Sequence, residues 1–145
     1  MSDPNCSFVV RGRARPQGSK RLLGKALVES SPHHAPWRSD VRSAAMEAIP
    51  DEWDQSFPCT VLVVASFRRP ANHFNKKGVK PLAPDHPITR NVGDVDKLLR
   101  AILDALTEII YRDDSYVTTA SITKRYCNHD EPEHCEISII QHQKC

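Results

Sequence analysis

Apolar positions along the chain fall into a few distinct patterns. Cys59 to Phe67, Cys-Thr-Val-Leu-Val-Val-Ala-Ser-Phe, is almost continuously apolar. Such a run predicts a central strand buried on both faces. From Asp94 to Ile110 the pattern changes. Val95, Leu98, Leu99, Ile102, Leu103, Leu106, Ile109 and Ile110 recur at helical spacing and form one broad stripe, with Asp94 where an N-cap belongs. A second helix is predicted from Pro36-Trp37 to about Ile49, where Val41, Ala44, Ala45 and Ala48 or Ile49 share a face. Pro36 suits its first turn, and Pro50 lies just past its end. Residues 6–11, Tyr116 to Tyr126 and Cys135 to Ile140 read as further strands. Residues 22–35 give no decisive pattern.

The resulting order is strand, helix, strand, helix, strand, strand. It predicts a single α+β domain over residues 1–145, with helices packed on a mixed β-sheet. The length of 145 residues suits one domain. Hydrophobic residues make up 39% and charged residues 26%, which places the chain among globular proteins and excludes fibrous and acidic disordered classes. A net charge of +2 does not by itself select a nucleic-acid partner, so local clustering must carry that argument. No window is long and apolar enough for a membrane span, and Met1 to Cys6 lacks the pattern of a secretory signal. The five cysteines are scattered without a CxxC pair, so a disulfide framework is not expected and a cytoplasmic setting is.

Local clustering does exist. Arg11 to Arg21 holds Arg11, Arg13, Arg15, Lys20 and Arg21 with no acidic residue. Cations beside turn backbone amides suit phosphate oxygens, although a solvated loop has the same composition. Residues 68–92 contain four prolines and the group Lys76, Lys77 and Lys80. A loop of that length is either a substrate-binding flap or disordered.

Candidate chemistry centres on Asp94-Val95-Asp96 at one end of the strong helix and Asp113-Asp114 beyond its other end. Carboxylates suit Mg²⁺, which prefers oxygen ligands and keeps waters for a phosphodiester substrate. Capping and turn formation are the commoner fates of aspartate. Spacing leaves two arrangements open: a fold-back that gathers the acids within one chain, or a site shared across a dimer. Arg100, one turn from Asp96, suits electrostatic stabilisation of a phosphate rather than proton transfer. It also forms i,i+4 spacings with Asp96 and Asp104 that would support the helix. Lys124 is a further cation on the following strand.

Three segments together resemble the RusA-like family of Holliday junction resolvases. They are Gly93-Asp94-Val95-Asp96-Lys97-Leu98-Leu99-Arg100-Ala101-Ile102-Leu103-Asp104-Ala105-Leu106-Thr107, Tyr111-Arg112-Asp113-Asp114-Ser115 and Lys124-Arg125-Tyr126. Residues 12–20 and the strand through Phe67 are similar more loosely. The resemblance implies a homodimeric, Mg²⁺-dependent endodeoxyribonuclease, with Mn²⁺ as an alternative ion. Such an enzyme resolves four-way DNA junctions by paired symmetric nicks in recombination and repair. It implies metal binding by Asp94, Asp96 and Asp114, with Arg100 as a further catalytic residue. It also implies DNA contacts from Arg13, Arg15, Lys20, Arg21, Lys76, Lys77, Lys80, Lys97 and Lys124. Lys97 stands where the family often has Asn, and Arg100 where it often has Lys. The second exchange keeps the charge and loses the titratable amine. Branched DNA and a second copy of the chain are the implied partners, in the cytoplasm of a cell or of a virus-infected bacterium. Two other readings are a branched-DNA-binding module of the same fold without catalysis, and an interaction domain stabilised by zinc on Cys127, His129, His134 and Cys135.

Overall fold

The computed structural model describes residues 4–17, 20–23, 26–29 and 34–143, and the side chains of residues 4–17 and 36–143. In chain order the elements are β1 (Asn5–Arg11), β2 (Lys20–Leu23), β3 (Ala26–Glu29), α1 (His34–Ala48), β4 (Cys59–Phe67), β5 (Phe74–Asn75), β6 (Gly78–Val79), α2 (Val95–Leu106), β7 (Val117–Tyr126) and β8 (His134–Gln141). The main sheet has the order β1-β8-β4-β7. β4 pairs antiparallel with β8 and parallel with β7, and β8 pairs antiparallel with β1. Two small antiparallel hairpins, β2–β3 and β5–β6, stand outside it. This is the α+β domain with a mixed sheet that the periodicity predicts.

One face of the sheet builds the core. Val61, Val63 and Ala65 of β4 lie opposite Ile139, Ile137 and Cys135 of β8, and all six are buried. The helices lie against this core: Trp37, Val41 and Ala45 of α1 repeat every fourth residue, and Leu98, Ala101, Ile102, Ala105 and Leu106 of α2 follow the 3–4 spacing. The other face of β4 is not covered in the same way. Leu62 is 39% exposed, and Thr60 and Val64 are only partly buried. The expectation of a strand buried on both faces therefore holds only at its end, where Ala65, Ser66 and Phe67 are buried in succession. An apolar run cannot reveal that helices cover just one side.

Helix α2 also ends earlier than its stripe. Thr107 leaves the helix with ψ 137°, Glu108 takes φ 70°, and the Glu108 N–H turns back to the Tyr111 carbonyl. The helix-end carbonyls find side-chain donors instead of another turn. Tyr111 and Thr107 hydroxyls donate to Leu103 O, and Arg42 donates to Ala105 O and Thr107 O at 2.9 Å each. Ile109 and Ile110 remain buried in this turn, so their spacing looked helical for a reason of packing. No Gly or Pro marks the stop.

The link from β4 through α2 to β7 is a parallel crossover, and it decides where the site lies. Helix α2 must return past the sheet before β7 can run parallel to β4. The start of α2 therefore sits by the ends of β4 and β7. Arg13 ties the two together: it donates to Asn91 O at 3.3 Å while its guanidinium lies over the Phe67 ring.

Candidate active site

Asp94 precedes α2 in extended backbone, with φ −82° and ψ 146°, yet its side chain makes no capping hydrogen bond. Asp94 and Asp96 are exposed, and neither carboxylate has a hydrogen-bond or ion-pair partner among the described residues. Capping is thus not the role of Asp94. Nor do the helix pairs form: Arg100 lies beyond ion-pair distance of both Asp96 and Asp104. Two unpartnered carboxylates in water are hard oxygen donors with room for retained waters, a donor set that fits Mg²⁺.

The chain packs cations and backbone around this pair. Lys124, near the end of β7, donates from Nζ to Gly93 O at 3.0 Å, which fixes the residue before Asp94. Gln17 N–H donates to Lys97 O at 3.1 Å, so the basic N-terminal loop lies on the first turn of α2. Gly93 has φ +99°, and a Cβ there would meet Pro16 side-chain atoms at 3.0 to 3.3 Å. Glycine is needed for both conformation and space. Arg15 belongs to this loop, and Lys97 and Arg100 are exposed on α2. Arg13 is engaged within the chain, with an ion pair to Glu133 at 3.3 Å besides its contacts to Asn91 and Phe67.

Asp113 and Asp114 lie at the other end of α2. Hydrogen bonds from the Ser115 side chain and then its backbone N–H hold the Asp113 carboxyl below the ordinary range. Asp113 caps the short 3-10 turn Asp114–Tyr116 that leads into β7, and Asp114 is exposed in that turn. Twelve residues of α2 separate the two acidic groups by about 18 Å at 1.5 Å per residue. Strand β7 does run back along the helix, but the aspartates precede it and stay behind. Asp94, Asp96 and Asp114 do not gather into one metal-binding cluster within the chain.

The sequence matches the family described as Endodeoxyribonuclease RusA over residues 8–140, nearly the whole chain. The chain belongs to the RusA endodeoxyribonuclease family. No individual curated protein gives a significant match. As a RusA-family chain it comes from a group of DNA-cutting nucleases, and no helix among the described residues is long and apolar enough to cross a membrane.

The remaining basic residues of this RusA-family chain divide by location. Lys76 and Lys77 form the tip between β5 and β6, Lys80 follows β6, and all three are exposed. The long 68–92 segment thus carries a short hairpin flanked by turns. Lys20 and Arg21 begin β2, and their side chains lie outside the described residues. Sequence reasoning passed over a cleft of about 660 Å³ beside the hairpin, with Arg68, Arg69 and Arg125 in its wall. Arg69 stacks over Tyr126 at 4.3 Å and donates to Pro84 O at 2.7 Å. The Arg68-Arg69-Pro70 step directly after the apolar strand was the available signal.

The proposed zinc foursome does not come together. His134 and Cys135 are consecutive on β8 and must point to opposite faces. Burial pushes the Cys135 thiol up to about 12, and exposed His129 instead faces Asp130 at 3.4 Å.

Proposed function

We propose that this protein is a homodimeric, Mg²⁺-dependent endonuclease that resolves four-way DNA junctions by paired symmetric nicks. The observation that carries the reading is the unpartnered pair Asp94 and Asp96, held where the ends of the parallel strands β4 and β7 meet the start of α2. Family membership adds the class of reaction. Asp94 and Asp96 would hold the ion with Asp114 of a second protomer. When bound, Mg²⁺ supplies charge neutralisation at the scissile phosphate and a more acidic water.

The chain's own residues do the rest. Lys124 and the Gly93 turn fix the position of Asp94. Lys97, Arg15 and the start of α2 draw a phosphate toward the carboxylates, since helix N-terminal amides and cations both favour an anion. Arg100 offers charge stabilisation one turn along. Lys76, Lys77 and Lys80 on the projecting hairpin add backbone affinity, while junction geometry supplies selectivity.

The shape of the sheet favours a dimer. β7 is an edge strand, and Thr118, Thr119, Ala120 and Ser121 are all exposed. No charge or proline protects this stretch from pairing with another strand. Antiparallel pairing of two β7 edges across a two-fold axis would lay the start of one strand by the end of the other. Asp114 lies at the start, and Lys124 with the Asp94 turn lies at the end. Such pairing would carry each Asp114 toward the other chain's Asp94 and Asp96, and would give two equivalent sites for a pseudo-two-fold junction.

The test is a mobile four-way junction beside matched linear duplex, with Mg²⁺ or chelator. Paired nicks in the junction alone are expected. Asp96→Asn should lower the rate by at least about 10²-fold while leaving binding intact, the scale of losing one electrostatic partner of a transition state. Tight junction binding without nicking in either Mg²⁺ or Mn²⁺ would establish a binding module instead.

A further inference from the structure

The turn that joins β7 to β8 brings three ligand-type side chains together in eight residues. Single ligand atoms of Cys127, Glu131 and His134 all lie within 4.8 Å of one another. A tetrahedral ion with bonds of about 2.0–2.3 Å keeps its ligands roughly 3.5 Å apart, so closure needs movements of only about an ångström. We propose that Cys127, Glu131 and His134 form a zinc site that staples this turn, separate in place and chemistry from the aspartates at α2.

Each of the three side chains is placed by contacts within the metal-free turn. Glu131 takes both of its hydrogen bonds on Oε1, from Asn128 N–H at 3.1 Å and Arg125 at 3.0 Å. Its Oε2 is left for an ion. His134 is buried; its Nδ1 lies 2.9 Å from Pro132 O and its Nε2 3.6 Å from Glu136 Oε1, so metal binding takes one ring nitrogen from its present neighbour. Cys127 Sγ reaches the same carbonyl at 3.5 Å. One backbone carbonyl thus gathers the imidazole and the thiol in the metal-free turn, and the sulfur gives up its bond to that carbonyl when its proton leaves. Zinc binding replaces the Cys127 thiol proton, which passes to solvent.

The donor set decides the metal. Thiolate and imidazole select a borderline-soft ion, whereas the all-oxygen pair Asp94 and Asp96 suits Mg²⁺. Three protein ligands leave a fourth position. Cys127 and Glu131 line the cleft that holds Arg68, Arg69 and Arg125, so water from that cleft completes the site. By fixing Glu131, the ion also fixes Arg125, its 3.0 Å partner, at the cleft wall.

The test uses the full-length protein stripped of metal and titrated with Zn²⁺ alone, followed by calorimetry and thermal melting. One equivalent per chain and a raised melting temperature are expected, without competition from Mg²⁺. Cobalt substitution should give a thiolate-to-cobalt charge-transfer band. Cys127→Ser should abolish that band, and Cys145→Ser should leave it. Cys127→Ser and Glu131→Gln, both at partly exposed positions, should each weaken Zn²⁺ by more than the roughly 10–100-fold that losing an outer-shell partner costs. Absence of stoichiometric binding would overturn the site. So would binding unchanged in folded Cys127→Ser or Glu131→Gln, or a cobalt band that follows Cys145. Junction cleavage does not enter these measurements, so their outcome is independent of the nuclease reading.

Discussion

At the residue scale, burial and partnership separate side chains that look alike in sequence. Asp94 and Asp113 both precede helical segments, but only Asp113 uses its carboxylate as a cap. The cysteines divide in a similar way. Burial pushes the Cys59 thiol up to about 11 and Cys135 up to about 12, from an ordinary value near 9.0. A raised folded-state value favours the protonated thiol, so its stabilising effect is fully present below pH 9 and is lost as pH rises through 11 to 12. Denaturant midpoints should therefore fall across that alkaline window, and Cys135→Ala should flatten the decline. Native Cys135 should also resist thiol reagents that modify it readily after unfolding. Rapid modification of Cys135 in the folded protein would contradict its burial.

At the element scale, α2 and the loops at its two ends set the site. Its buried stripe was legible because a 3–4 spacing has few other causes. Its end was not, because Tyr111, Thr107 and Arg42 stop it through hydrogen bonds to carbonyls, and Arg42 comes from another helix. The Gly93 turn shows how a loop holds the carboxylates in place. Gly93→Ala meets both the positive φ and the Pro16 side chain, so it should cost on the order of 1–3 kcal/mol. Chemical denaturation measures that loss. Cleavage should fall further than stability, since displacing Pro16 also moves the basic loop off the first turn of α2. Equal cleavage by a measurably destabilised Gly93→Ala would detach this turn from catalysis.

At the scale of the whole molecule, the topology sets Asp94 and Asp96 apart from Asp114 and leaves an uncharged strand edge next to Asp114. Thr119→Lys on that edge should yield a folded monomer by sedimentation and should abolish paired nicking, although every acidic residue remains. Exposed substitutions of this kind usually change stability by only about 0.5 kcal/mol, so unfolding should not confuse the result. A dimer that survives Thr119→Lys would move the interface elsewhere. The hairpin makes a separate prediction. Replacing Lys76, Lys77 and Lys80 with alanine should weaken junction binding and reduce the slope of log affinity against log salt by about 0.9 for each lost phosphate contact. An unchanged slope would remove the hairpin from the DNA contacts.

The sequence alone determined the main strands, both helices, the acidic pair and the basic loop from Gly12 to Gln17, though not that Lys20 and Arg21 enter strand β2, because short-range periodicity and side-chain chemistry survive without a fold. It also carried the family resemblance, since the D-x-D helix start and the D-D turn are local patterns. Only the tertiary structure decided which face of β4 is covered, where α2 stops and that Arg13 is engaged within the chain. It alone assembled Cys127, Glu131 and His134, whose grouping depends on a turn folding around the Pro132 carbonyl. The separation of Asp114 from Asp94 is of the same kind. It follows from the parallel pairing of β4 and β7, which commits α2 to run back along the sheet, and strand pairing of that sort joins residues far apart in sequence.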